Sequence, residues 1–367
     1  MEKVEIGIVG GGLSGLSLAI LLARQGRSVV LWEKHRYPFH RVCGEYISNE
    51  SLPFLKSLLP RFRWEEMPHI NTLLLSAPSG KMLTESLDLG GFGVSRFLLD
   101  SELAAEAICS GVQLFQNCPV HDFREIPEGF IVVAGGQEWQ CQNLFLSFGK
   151  NRGPGEAPRK HGNGRQFVGV KYHIRYPHKP GEIQLHNFRN GYCGMSRIED
   201  GLSCLCYLVD ASELRSFGND FRTMEAGLLC RNPHLRRIFE DADFLWERPK
   251  TISGIRFGEF GAMQGKAILL GDAAGSIPPL CGNGMSMALH AAKNLAADFS
   301  VEMHAQVNQS LNYRKFRKQQ FGRRMMAGSL IQRFFGKEVI SELALQFLEY
   351  SPGLRKILVR STHGSVF

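Results

Sequence analysis

A chain of 367 residues exceeds the usual size of one hydrophobic core, so two domains are expected, one inserted in the other. A composition of 44% hydrophobic and 21% charged residues with 40 glycines excludes a disordered chain, and no run approaches the ~18 apolar residues of a membrane span. The net charge of +8 is uneven: from Val301 onward 11 Lys or Arg face 4 Glu and no Asp, a local +7 that leaves +1 for everything before it.

The first strand begins within a few residues of Met1, so no signal peptide is expected. Nine cysteines, odd in number and without a C-x-x-C pair, suit reduced thiols in a cytoplasmic protein better than disulfides or zinc. Cys204-Leu205-Cys206 reads as two thiols on one face of a strand.

In chain order, Ile6-Gly7-Ile8-Val9 reads as a buried parallel strand that breaks at Gly10-x-Gly12-x-x-Gly15 into a helix. Gly10 permits the tight turn, Gly12 lets backbone approach a pyrophosphate, and Gly15 lets helix and strand pack closely. The N–H groups around Leu13 and Ser14 would then face phosphates. A second strand, Val29-Val30-Leu31-Trp32, ends at Glu33, about 20 residues on, where an acid accepts hydrogen bonds from ribose hydroxyls. Together these specify a dinucleotide site.

The loop after Glu33 is polar and cationic. Lys34 and Arg41 offer charge to a pyrophosphate, and Val42-Cys43-Gly44 allows close approach to a flat ring. Residues 47–66 read as helical, and 69–86 as two strands around Pro78-Ser79-Gly80. Ser95-Arg96 opens a helix through Leu99-Asp100 to Gly111, and a third parallel strand follows. Val120 comes next, where an adenine edge could rest. Residues 129–133 and 138–141 read as a hairpin, and a further strand, 144–148, opens at Gly149 into a glycine turn. From 166 to 210 the pattern becomes antiparallel, with turns at Pro180-Gly181, Asn190-Gly191 and Asp200-Gly201. Residues 220–243 are polar and helical.

Another strand enters Gly271-Asp272-Ala273-Ala274-Gly275, where a carboxylate can hold a ribityl hydroxyl. A proline turn through Pro279 and Gly282 follows, and Asn283-Gly284-Met285 then starts a helix of small residues, a ready anion site. These motifs, with Arg41-Val42-Cys43-Gly44-Glu45 and Ser95-Arg96, resemble the flavin-binding motifs of the para-hydroxybenzoate hydroxylase fold. That superfamily holds aromatic hydroxylases, flavin-dependent halogenases and geranylgeranyl reductases, and Cys43-Gly44-Glu45 is most like the last.

The resemblance implies an α/β protein that binds FAD. Its Rossmann-like FAD domain is discontinuous, at 1–66, 95–160 and 252–300. The substrate domain, at 67–94 and 161–251, is an inserted antiparallel sheet roofing the flavin. Residues 301–367 form a basic helical segment. The chain departs from its relatives: Ser147-Phe148-Gly149-Lys150 stands where hydroxylases carry an Asp-Gly pair, the Trp-x-Trp-x-Ile-Pro run of halogenases is absent, and only Tyr192 remains of the reductases' Tyr-x-Trp-x-Phe-Pro run. There is no second nucleotide motif, so NAD(P)H, where it is the reductant, would dock only transiently on the surface; otherwise reduced flavin or a protein donor must supply the electrons.

Three readings stand open. They are an FAD-dependent monooxygenase for an apolar, aromatic or polyketide-like molecule, an FAD-dependent C–C reductase, and a flavin-free binding protein of the same fold. Cys43, Glu45 and Tyr46 are the candidate catalytic groups on the flavin side, Tyr192 and Met195 those on the roof. The stretch from Asn312 to Arg324 carries six cations, all within the eleven positions from Arg314 to Arg324. No nucleic-acid motif accompanies it, whereas an acidic carrier protein or an anionic membrane surface would use such a field. Reversing Arg317 and Arg324 is expected to leave folding intact.

Overall fold

The β-branched run at the start forms strand β1 (Glu2–Val9), and Gly10 at φ 100° turns the chain into α1 (Leu13–Arg24). A computed structural model describes residues 2–150, 153, 165–255, 257–299, 303–334 and 336–367. Around β1 a parallel core assembles from β2 (Val29–Trp32), β6 (Gln113–Phe115), β9 (Gln137–Leu146) and β18 (Ala267–Leu269). β7 (Val120–Ile126) and β8 (Gly129–Ala134) extend β9 antiparallel, and β17 (Met263–Gln264) closes the far edge.

The strands of this core are apolar on both faces because both are covered. α1, α3 (Arg96–Cys109) and α7 (Gly284–Ala297) pack on one side, burying Ile6, Ile8, Leu16, Leu103 and Leu289. The expected hairpin at 129–141 and the strand at 144–148 are one feature: β9 runs through both, pairing with β8 at its start and with β1 along its length.

The second sheet has nine strands: β3 (Tyr46–Ser48), β4 (His69–Ser76), β5 (Met82–Gly93), β10 (Phe167–Arg175), β11 (Gly181–Phe188), β12 (Gly191–Arg197), β13 (Ser203–Asp210), β14 (Asp243–Phe244) and β15 (Lys250–Ile255). It is antiparallel except where β11 runs parallel to β4. Helices α4 (Ala211–Ser216), α5 (Phe221–Gly227) and α6 (Pro233–Asp241) cover its outer face. A two-stranded ribbon of β16 (Gly258–Glu259) and β19 (Gly275–Ser276) lies beside the first sheet. Two elements cross the expected domain boundaries. β3, inside the stretch assigned to the nucleotide domain, pairs with β5 of the substrate stretch, and β15, which straddles 251/252, pairs with β10. The boundary at 160 lies outside the described residues. Within 47–66 the α-helix is confined to α2 (Leu52–Leu58), because 46–48 is drawn into the second sheet.

The C-terminal segment is α8 (Met303–Phe334), α9 (Glu338–Glu349) and α10 (Pro352–Thr362). Arg317 and Arg324, expected to face solvent, are only 4% and 5% exposed. They share the buried side of α8 with Tyr313 and Phe321, a spacing of three and four residues. Arg317 donates to the Ala274 carbonyl at 3.1 Å, and Arg324 pairs with buried Glu50 at 2.9 Å. Charge reversal at either site therefore attacks folding rather than a surface.

Candidate active site

Between the two sheets lies a cavity of about 660 Å³, lined at one end by the glycine turn and at the other by the second sheet. The glycines divide the work. A Cβ on Gly10 would come 2.6 Å from the Ser147 carbonyl, and one on Gly15 would strike the Gly10 carbonyl, so both are packing positions. By contrast, a Cβ on Gly12 would meet no atom closer than Arg96 at 4.0 Å, and one on Gly44 none within 4 Å. Gly12, Leu13 and Ser14 line the cavity with the start of α1, whose N-terminus has no side-chain cap. This is an open cradle for an anion.

Two arginines border it. Arg96 donates to both oxygens of Asp100, at 2.6 and 2.8 Å, and Arg41 donates to the same carboxylate at 2.8 Å. Asp100 is fully buried, so one carboxylate fixes two cavity-lining guanidiniums. Burial disfavours the Arg96 charge, but Asp100 outweighs it and moves the guanidinium's pKa further up. Glu33 accepts from the Gly11 amide (2.8 Å), the His35 amide (3.0 Å) and Arg41 (3.1 Å). Lys34 and His35 line the cavity, as do Gly149, Lys150 and Asp272, whose opposite charges stand 3.9 Å apart.

Gly10, Gly15, Glu33, Val120 and Asn283 are not among the described residues that line the cavity. Val120, at the start of β7, packs against the Trp32–Trp139 core, because its strand hydrogen-bonds away from the nucleotide turn. Asn283 is fully buried at the start of α7 with neither end of its amide partnered among the described residues, between cavity-lining Gly282 and Gly284. Pro279 and Met285 line the same wall.

Beneath the 41–45 loop sits a charged cluster. Glu45, in the left-handed region at φ 56°, accepts from the Arg96 amide (2.7 Å), His173 (2.7 Å) and Lys171 (2.5 Å). Burial alone would raise its pKa, but Lys171 and His173 outweigh burial and hold the carboxyl at about 2. Glu45 is thus an anchor that stays ionised, not a proton donor at neutral pH. Lys171, fully buried, also donates to the Arg41 carbonyl at 3.2 Å. Ser196 donates to the Gly44 carbonyl at 3.0 Å, and the Cys204 thiol to that of Cys43 at 3.2 Å. Beside them His40 rests against Phe97 and Trp246, ring centroids 4.5 Å from each, and burial with Lys171 lowers it to about 4.

The far wall is apolar. Ile183, Leu185, Leu208, Ile252, Ile255 and Leu280 line it, joined by buried Tyr192. Met195 also borders the cavity. Three residues on from Tyr192 along β12, its side chain packs with Val170, Leu205 and Tyr207 under α5 and α6, so it meets the cavity from the core side of the sheet rather than from the apolar wall of Tyr192. Cys43 lines the cavity with its sulfur 3.6 Å from that of Met285. Tyr46 is buried, its hydroxyl has no partner among the described residues, and burial pushes its pKa up.

Asp100, Lys150, Lys171 and His173 are the site residues that motif reading leaves without a role. The available signal was Lys171-x-His173, two charged or titratable groups at alternate positions of an apolar strand, hence on one face.

Residues 8–45 match the family model described as an NAD(P)-binding Rossmann-like domain. One curated relative, Conditioned medium factor receptor 1 of Dictyostelium discoideum, is 22% identical over 329 residues, 79% of this chain; the match spans 62% of that protein's length. Three solved structures superpose closely. The flavin-dependent brominase Bmp2 is 16% identical with a TM-score of 0.78, covering 100% of this chain and 94% of its own. A geranylgeranyl bacteriochlorophyll reductase-like protein of Thermoplasma acidophilum is 15% identical (TM-score 0.75; 98% and 100%). PqsL, a probable FAD-dependent monooxygenase of Pseudomonas aeruginosa, is 13% identical (TM-score 0.70; 94% and 100%). The chain therefore has the fold its motifs resemble, a Rossmann-like α/β domain with an inserted antiparallel roof, shared with these flavin-dependent and reductase-like proteins.

Proposed function

We propose that this chain is an FAD-dependent monooxygenase acting on an apolar small molecule. The observation that carries the reading is the single cavity that joins an anion cradle to an apolar roof. At the cradle, the open Gly12 backbone with Arg41 and Arg96 would hold a pyrophosphate, with Glu33 behind it fixing Arg41 and the Gly11 and His35 amides. Asp272 would hold the ribityl chain, and Gly44 with the start of α7 would face the flat ring; the orphaned Asn283 amide supports a polar ligand edge there. Bound there, FAD supplies the redox chemistry.

The chain's own residues do the rest. Ile183, Leu185, Leu208 and Ile252 exclude water from the substrate end, which protects an oxygen-transfer reaction from waste. Overall, one oxygen atom of O2 enters a substrate C–H bond, and the other leaves as water, using the hydride of a reduced nicotinamide (two electrons and one proton) and one proton from solvent. Turnover under labelled dioxygen should place the label in the product; product formed equally well without oxygen would contradict the reading. Removing Asp272 as Asp272→Ala should weaken FAD binding about 10-fold to 100-fold, the worth of one charge-assisted hydrogen bond, as read by titration of the apoprotein.

Reduction of a C–C double bond is the second reading, favoured by the Cys43 thiol on the cavity wall. In that case Cys43→Ser should keep bound flavin while turnover falls by at least about 100-fold, the usual worth of a positioned acid. Full activity in Cys43→Ser would leave the thiol as packing.

A further inference from the structure

Among the described residues, ten of the fifteen exposed large apolar side chains lie beyond residue 300. Their spacing is helical. On α9, Val339, Leu343 and Phe347, with Tyr350 just past its end, stand 60–79% exposed, on the side opposite buried Ser341 and Leu345. The stripe runs on into Leu354 and Ile357 of α10. Several charges of these helices are spent on the chain itself: Arg355 pairs with Glu85 at 2.9 Å, Glu349 with Lys81 at 2.6 Å, and Glu342 accepts from Ser79. Exposed Lys337 and Lys356 flank the stripe, and α8, packed beside both helices, exposes Arg314, Lys315, Lys318 and Arg323 together with Met326 and Leu330.

We infer that this face seats the protein on an anionic lipid bilayer, the apolar stripe entering the headgroup boundary and the cations meeting lipid phosphates. An outward apolar row bordered by lysine and arginine is the composition of an interfacial helix. A second copy fits poorly, since a twofold contact would press the exposed Arg314, Lys315, Lys318 and Arg323 of one copy towards those of the other. No helix among the described residues is long and apolar enough to cross a membrane, so the attachment is peripheral. The face also lies one helix away from the cavity. Val359, on the inner side of α10, packs in a cluster with Tyr46 and Ile183, and both of these line the cavity. A lipid-dissolved molecule would reach the apolar roof with little exposure to water.

Flotation of the full chain with phosphatidylcholine vesicles, with and without phosphatidylserine, tests this without reference to turnover. The chain should float with the serine-containing vesicles and be released by salt. Leu343→Glu with Phe347→Glu should cut binding at least about tenfold, with an unchanged melting curve because both side chains are exposed. Lys315→Glu with Lys318→Glu should abolish the preference for phosphatidylserine. A chain that stays unbound with phosphatidylserine vesicles, or apolar-stripe variants that float as well as the parent, would overturn the proposal. So would a dimer in solution that those variants convert to a monomer without any vesicle binding.

Discussion

Glu45→Gln should lower the stability of the folded chain by about 3–5 kcal/mol, the usual cost of removing one partner of a buried ion pair. The substitution keeps the side chain's shape, so the loss measures charge. Lys171 would remain fully buried with no carboxylate at 2.5 Å, while His173 and the Arg96 amide would face a weaker acceptor. The acid limb carries a second signature. The folded pKa of Glu45 is held at about 2, below the ordinary 4.5, so its contribution is complete above about 4.5 and is lost as pH falls towards 2. Urea unfolding from pH 5 to 2 should show that loss in the parent and a flatter profile in Glu45→Gln. A variant within about 0.5 kcal/mol of the parent would mean the cluster is solvated in solution.

Arg324→Met should cost a similar ~3–5 kcal/mol, for the mirror-image reason. Glu50 is fully buried and, among the described residues, would keep only the Gly364 amide as a side-chain partner once the guanidinium at 2.9 Å is gone. The same carboxylate ties α8 to the final residues, whose Phe367 ring stacks on His290 at 4.1 Å. Loss of Arg324 should therefore loosen both, visible as early hydrogen exchange in 310–328 and 363–367. Arg323→Ala, one position along on the exposed side, is expected to change stability by no more than about 0.5 kcal/mol. Equal behaviour of the two variants in urea would show that α8 does not bury Arg324.

The contrast between these neighbours shows where the sequence was legible. The glycine turn, the acid after β2 and the Gly271-Asp272 turn announce themselves because backbone geometry admits few residues there, and Gly10 and Gly15 do sit where a Cβ would clash. The roof strands could be read from alternation and turn residues such as Asn190-Gly191. Face assignment was harder: Met195 and Tyr192 both line the cavity, but they differ by an odd number of positions, and only the pleat decides that Tyr192 joins the apolar wall while Met195 packs into the core under α5 and α6. Charge was hardest. A cluster such as Arg314 to Arg324 looks uniformly solvated in one dimension, yet helical periodicity sends Arg317 and Arg324 inward against Ala274 and Glu50. Likewise, Glu45 looked available for chemistry because its partners, Lys171 and His173, lie more than a hundred residues away.

The measurement that bears most directly on the central claim is the flavin content of the purified chain. The cradle of Gly12, Arg41, Arg96 and Asp272 predicts one FAD per chain, released on denaturation and taken up again by the refolded protein with a yellow flavin spectrum. A well-folded chain that is colourless and still fails to bind added FAD would contradict the account and leave the cavity to a different ligand.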